Sequence, residues 1–174
     1  AHLIEQILEL YRSSPDQYAS NFEAINLYEL VQTVIAQRYA MFEGKNQQIE
    51  LLGEGGWLQG DLFALDTLVS NILINACKYT PNEGDIKVTV HTEQQQVVLS
   101  VEDSGPGIPE DQYERIFDRF YRLHGDQHTS GVTGCGLGLS IVQHIVQLHH
   151  ADIILSRSSF SSGLNVTVRF PLTT

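Results

Sequence analysis

Between residues 61 and 80 the chain is committed to a helix with two unlike faces. Asp61 is placed to cap it, and Leu65, Leu68, Val69, Ile72, Leu73 and Ala76 recur at the three- and four-residue spacing that makes one apolar arc. Asn71, Asn75 and Lys78 stand at i, i+4 and i+7, on the opposite face. Such a helix must bury one side in a core while presenting two amides and an ammonium on the other. Taken alone, an Asn/Asn/Lys face is a solvated surface; two later segments change that reading.

The first is Asp103-Ser104-Gly105-Pro106-Gly107, which follows two β-branched runs at 85–92 and 96–102 that predict an antiparallel hairpin. The hairpin delivers Asp103 to a strand end. A carboxylate there can accept a hydrogen bond from the exocyclic amine of adenine, a charge-assisted contact worth about 1.5–3 kcal/mol when dry, and that bond would select adenine over guanine. Gly105 and Gly107 let the backbone turn beneath a base, and Pro106 and Pro109 stiffen the exit. The second segment, Gly134-Cys135-Gly136-Leu137-Gly138-Leu139, precedes a helix predicted over 138–149, so its amides and the positive helix end suit phosphate. It has neither the Lys-Ser/Thr ending of a P-loop nor the third-glycine spacing of a dinucleotide fingerprint. A Mg²⁺ ion on a triphosphate keeps several waters and needs only one or two protein oxygens. The Asn75 carbonyl is one candidate, Asn71 a second, and Lys78 can neutralise phosphate charge.

Elsewhere, Leu3, Ile4, Ile7, Leu8, Leu10 and Tyr11 have helical spacing that stops at Ser13-Ser14-Pro15, and a polar linker runs to about Ile25. This opening reads as the end of a helix whose earlier part lies upstream. Asn26 and Glu29 resemble a capping pair for a helix reaching about Phe42. Short strands are expected at 48–52 and 56–58, and a closing hairpin at 152–158 and 164–170. Residues 106–134 show no sustained period beyond an aromatic stretch at 116–121; a loop of that length in a compact domain is typically a lid.

At 174 residues and 42% hydrophobic composition the chain is one domain's worth of core. A net charge of −11 argues against a nucleic-acid or anionic-membrane surface. A local basic cluster remains, since Arg115, Arg119 and Arg122 are three of only ten basic residues. Cys77 and Cys135 have no metal-ligand spacing and read as small-residue packing. Adjacent His149 and His150 would point to different sides of a helix and read as surface residues rather than a metal pair. The sequence contains neither a signal peptide nor an apolar run of about eighteen residues.

In order and separation these segments resemble the N box (71–81), G1 box (103–108), F box (116–122) and G2 box (134–139) of sensor histidine kinases, within the GHKL ATPase superfamily. The resemblance implies an α/β fold of the Bergerat type: a two-layer sandwich in which helices cover one face of a mixed, mostly antiparallel sheet, with an ATP lid between the F and G2 boxes. It implies that Asn75 holds Mg²⁺, with Asn71 and Lys78 near the phosphates, Tyr79 near base or ribose, and Asp103, Gly105, Gly107 and Ile108 about the adenine. Arg122, and behind it Arg119, would reach phosphate; Phe117 and Phe120 would anchor the lid; and Gly134, Gly136, Leu137, Gly138 and Leu139 would lie along the nucleotide. Residues 1–14 would be the tail of a dimerisation helix, 15–25 a linker and 26–174 the ATP-binding unit.

Hydrolytic members of the superfamily carry a glutamate general base four residues before the metal-binding asparagine, where this chain has Asn71. An amide takes no proton at neutral pH, so transfer to a histidine of another domain is the expected reaction. A phosphoacceptor His-Glu/Asp motif on an upstream helix is not found among His2, His91, His124, His128, His144, His149 and His150. The implied partners are therefore an upstream helical domain and a response-regulator aspartate, in a homodimeric, membrane-anchored parent with this domain in the bacterial cytosol. The rival readings are a degenerate nucleotide-sensing or scaffolding module and a stand-alone ATPase or anti-sigma type serine kinase.

Overall fold

The computed structural model describes residues 21–117 and 138–172, together with Glu5 and Leu8. Strand β1 (Glu23–Asn26) pairs antiparallel with β3 (Trp57–Gly60) as a two-stranded ribbon, Glu23 opposite Gly60 and Asn26 opposite Trp57. The ribbon lies partly in residues read above as linker, because a four-residue strand carrying a single buried residue, Ile25, has too little period to see. Asn26 then caps α1 (Leu27–Gln37), its Oδ1 accepting the Glu29 N–H at 3.2 Å, and Leu27, Leu30, Val31 and Val34 make the buried stripe. The expected single helix to Phe42 breaks at Arg38, with no proline or glycine there, and resumes as α2 (Tyr39–Glu43), which buries Phe42.

Strand β2 (Gln48–Gly53) leads through β3 to α3 (Leu62–Tyr79). Asp61 caps α3 as expected, its Oδ2 accepting the Ala64 N–H at 2.8 Å. The apolar arc from Leu65 to Ala76 is buried throughout. The hairpin of β4 (Asp85–Glu93) and β5 (Gln96–Asp103) turns on Gln94 and Gln95 alone, both at positive φ (48° and 60°), the mirror-image turn whose twist suits a hairpin. Helix α4 (Gly138–Leu148) and the hairpin of β6 (Asp152–Arg157) and β7 (Leu164–Pro171) complete the described fold.

The five-stranded sheet has the order β2-β4-β5-β7-β6, with β2 and β4 parallel and the other pairs antiparallel. Ile86, Val88 and Val90 of β4, Val97, Leu99 and Val101 of β5, and Val166, Val168 and Phe170 of β7 join the apolar stripes of α1, α3 and α4 in one core. Alternate residues such as Thr89, Ser100 and Thr167 face away from it, Ser100 and Thr167 sharing a hydroxyl hydrogen bond at 3.3 Å. The molecule is thus the two-layer α/β sandwich expected, with helices on one sheet face.

His149 corrects the surface reading. It is 5% exposed, stacks on Phe22 at 4.7 Å, and meets the edge of Phe170. Its Nδ1–H donates to the Ile145 carbonyl (2.8 Å), while Nε2 accepts the Asp61 N–H (3.2 Å), joining the end of α4 to the start of α3. Burial holds its pKa below the ordinary value. The helix ends at Leu148, so the argument from adjacent helical positions did not apply to it.

Candidate functional site

The C-terminal end of β5 presents Asp103 at 6% exposure beside the last turn of α3. Its Oδ1 accepts two backbone donors, Gly105 N–H at 2.9 Å and Leu164 N–H at 3.2 Å. Among the described residues no donor reaches Oδ2. Burial pushes the carboxyl above the ordinary carboxylate value, and the two N–H donors pull it only part of the way back. The turn after Asp103 is glycine for steric reasons. A Cβ on Gly105 would lie 2.5 Å from the Tyr79 carbonyl oxygen, and Gly107 sits at φ +77°.

Four residues at a time, α3 brings its polar face to the same place. Asn71 Nδ2 donates to the Thr67 carbonyl at 2.8 Å, which fixes the amide and turns Oδ1 toward the start of α4, 3.1 Å from where a Gly138 Cβ would be. Asn75 Nδ2 is 3.6 Å from that same point, and the Asn75 amide has no hydrogen-bond partner among the described residues. Gly138 is therefore the close-approach residue that lets the α4 N-terminus rest on both asparagines. Lys78 lies with its ammonium 5.4 Å from the centre of the Tyr79 ring.

Asn75, Tyr79 and Asp103 share a pocket with Ile72, Ala76, Val101, Ile108, Ile116, Leu139, Leu164 and Val166. It is an apolar slot whose lining includes one acid and one amide, the form of a small-molecule site. The slot is partly open, with ≈ 30 Å³ of space, room for a water. Ile116 and Leu139 border residues 118–137 and are the walls nearest that segment in the chain.

Of the expected residues, Asn75, Tyr79, Asp103, Ile108 and Leu139 line this pocket. Asn71 and Gly138 adjoin Asn75, Gly105 packs on Tyr79, Lys78 lies by the Tyr79 ring, Gly107 lies against Gly163, and Phe117 is half-buried on a 3-10 turn at Arg115–Phe117. Arg119, Phe120, Arg122, Gly134, Cys135, Gly136 and Leu137 lie outside the described residues. Sequence reasoning missed Gly163, whose φ is +125° and whose Cβ would meet the Asp103 carbonyl oxygen at 1.8 Å, and Leu164, which donates to the acid. A glycine closing a serine-rich loop was the available signal, but nothing local tied it to an acid sixty residues earlier. Cys77 is buried, its thiol pushed up by burial, which fits the packing role read for it.

For a divalent cation the donor set fits. Asn75 offers an amide that has no hydrogen-bond partner among the described residues, Asn71 an oxygen already oriented, and hard cations prefer such oxygen ligands. Among the described residues no cluster of three His, Cys, Asp or Glu could hold a metal by itself, so an ion here would need phosphate oxygens as well.

The model of the histidine kinase-, DNA gyrase B- and HSP90-like ATPase family matches residues 60–174. The chain belongs to this family. The ATPase-family domain is 36% identical over 171 residues to the sensor protein kinase PmrB of Pseudomonas aeruginosa, covering 98% of this chain and 35% of that protein. It is 34% identical over 170 residues to the adaptive-response sensory kinase SasA of a Synechocystis species, covering 95% and 44% respectively. The chain thus spans a third to under a half of these relatives. Among solved structures, the catalytic domain of histidine kinase ThkA superposes with a TM-score of 0.76 at 28% identity, covering 88% of this chain and 99% of that one. The ATPase-family domain is therefore of the catalytic kind found in sensor histidine kinases, and the GHKL resemblance read from the four boxes holds. Among the described residues no helix is long and apolar enough to cross a membrane.

Proposed function

We propose that this domain binds Mg-ATP in the Asp103 pocket and passes the γ-phosphoryl to a histidine on an upstream helical domain, for relay to a response-regulator aspartate. The observation that carries this reading is one apolar slot that holds a buried acid and an amide, Asp103 Oδ2 and Asn75, neither with a hydrogen-bond partner among the described residues, in a family whose relatives here are named sensor kinases. Asp103 Oδ2 would accept the adenine amine, and Ile72, Ile108 and Val166 would flank the ring. Lys78 and Arg122, with Arg119, would meet the phosphates, as would the backbone of 134–138 at the positive end of α4. Asn75, with Asn71, would hold Mg²⁺, which supplies charge neutralisation to the triphosphate when bound.

The acceptor imidazole nitrogen attacks the γ-phosphorus. A P–N bond forms, the bond to the β–γ bridging oxygen breaks with its electron pair going to ADP, and the imidazole N–H proton is released. The domain's share of the catalysis is position and charge. Asn71 has no basic lone pair to activate water, and its amide is tied to Thr67, so transfer is favoured over hydrolysis. Residues 1–14, 15–25 and 26–174 would be dimerisation-helix tail, linker and catalytic unit of a homodimeric, membrane-anchored parent with this domain in the cytosol. The test is incubation of the protein, extended upstream to the helical domain, with γ-labelled Mg-ATP. Acid-labile, alkali-stable label on protein supports the reading; nucleotide binding without label would make this a sensing or scaffolding module.

A further inference from the structure

The end of α3 is held by residues that the site itself does not contain. Helices of this length are commonly closed by a glycine or asparagine in the left-handed conformation, which satisfies the last carbonyls locally. Here the cap residue, Thr80, is extended (φ −82°, ψ 131°) because Pro81 follows it. The carbonyls of the last turn are instead taken by side chains from thirty or more residues earlier. Lys45 Nζ donates to Cys77 O at 2.7 Å and Thr80 O at 2.8 Å, and lies 3.4 Å from Lys78 O. Gln47 Nε2 donates to the same Cys77 and Thr80 carbonyls at 3.0 and 2.8 Å.

Among the described residues no carboxylate pairs with Lys45. Its charge is matched by oriented carbonyls at the negative end of the helix dipole. The remaining carbonyl of the turn, Tyr79 O, packs on Gly105 so tightly that no side chain fits between them. The last turn of α3, which carries Lys78 and Tyr79, is thus gripped by Lys45 and Gln47 and seated against the turn that follows Asp103.

We infer that Lys45, with Gln47, is a positioning residue of the nucleotide site: it sets the last turn of α3, and so places Lys78 for phosphate and Tyr79 for the base, without touching ligand itself. The inference rests on the nucleotide-binding reading proposed above, and one experiment separates the two. Dissociation constants for Mg-ADP and for adenosine would be measured by calorimetry on the chain and on Lys45→Met and Lys45→Arg, alongside melting temperatures.

The expected result is about a tenfold loss of Mg-ADP affinity in Lys45→Met, about 1.4 kcal/mol, a smaller loss for adenosine, and partial recovery in Lys45→Arg. A lowered melting temperature with wild-type affinities in the folded protein would overturn the inference, because a helix cap that only stabilises the fold does not move a ligand ratio. If Lys45→Met does not fold, Gln47→Leu removes two of the carbonyl bonds and is held to the same criterion. Failure of the unaltered chain to bind any adenine nucleotide would overturn the nucleotide reading and this inference with it.

Discussion

Asp103→Asn separates the cost of the buried acid from its use. In the wild type, Oδ1 accepts from Gly105 and Leu164, while no donor among the described residues reaches Oδ2. An asparagine keeps an Oδ1 for both backbone donors and replaces the free oxygen with an NH₂. Because burial raises the Asp103 pKa, the carboxyl's contribution to stability is fully present below its ordinary value of 3.8 and is lost as pH rises through the folded value. At pH 7 the wild type therefore carries a penalty that the amide does not, and Asp103→Asn is expected to melt at or above the wild-type temperature. Asp103→Ala instead orphans two buried N–H groups, at about 1–3 kcal/mol each. For ligand the order reverses. Losing a charge-assisted bond of about 1.5–3 kcal/mol corresponds to about a 10- to 150-fold loss of ATP affinity, and the new NH₂ can donate to a guanine carbonyl, so discrimination against GTP should shrink. Calorimetric titration with both nucleotides and melting curves at pH 7 read these effects. An Asp103→Asn protein as unstable as Asp103→Ala, or one binding ATP as tightly as wild type, would refute the reasoning.

Three further outcomes are expected. Asn75→Ala removes an amide with no protein partner among the described residues, so stability should stay within about 0.5 kcal/mol while Mg²⁺ no longer enhances ATP binding; unchanged enhancement in titrations with and without the ion would remove Asn75 from the metal role. Gly163→Ala, at φ +125° with a contact of 1.8 Å to Asp103 O, should lose more than about 2 kcal/mol in denaturant melts, whereas Gly55→Ala, at φ +56° with nothing within 4 Å, should lose only about 1–2 kcal/mol. Because the buried His149 has a depressed pKa, the unfolded chain takes its proton first as pH drops below 6.5. Wild-type stability should then fall from pH 7 toward pH 5 more steeply than that of His149→Phe, and parallel slopes would contradict the locked neutral ring.

The sequence carried most of what local periodicity can carry. The capping of α1 by Asn26 and of α3 by Asp61, the one-sided arc of α3 and the β4–β5 hairpin all follow from neighbours within a few residues, where sequence and structure speak the same language. Asn75, Tyr79, Asp103 and Ile108, singled out in two of the boxes, line one pocket, because close backbone approach and polar residues on an otherwise apolar helix leave marks in residue type. Long-range contacts left no such marks. The grip of Lys45 on α3, the seating of Gly163 against Asp103, and the burial of His149 under Phe22 each join residues whose separation hides the pairing. The β1 strand was missed for a different reason: its partner, β3, is equally short, and neither has a full alternation of apolar and polar residues.

On the function proposed above, the Asp103 pocket selects an adenine nucleotide and engages its phosphates through the asparagines of α3. Calorimetric titration of the chain with a non-hydrolysable ATP analogue and its GTP counterpart, each with and without Mg²⁺, tests it most directly. The adenine analogue should bind saturably and more tightly with Mg²⁺, and the guanine analogue at least tenfold more weakly. Equal binding of the two bases, or no binding by the folded chain, would contradict it.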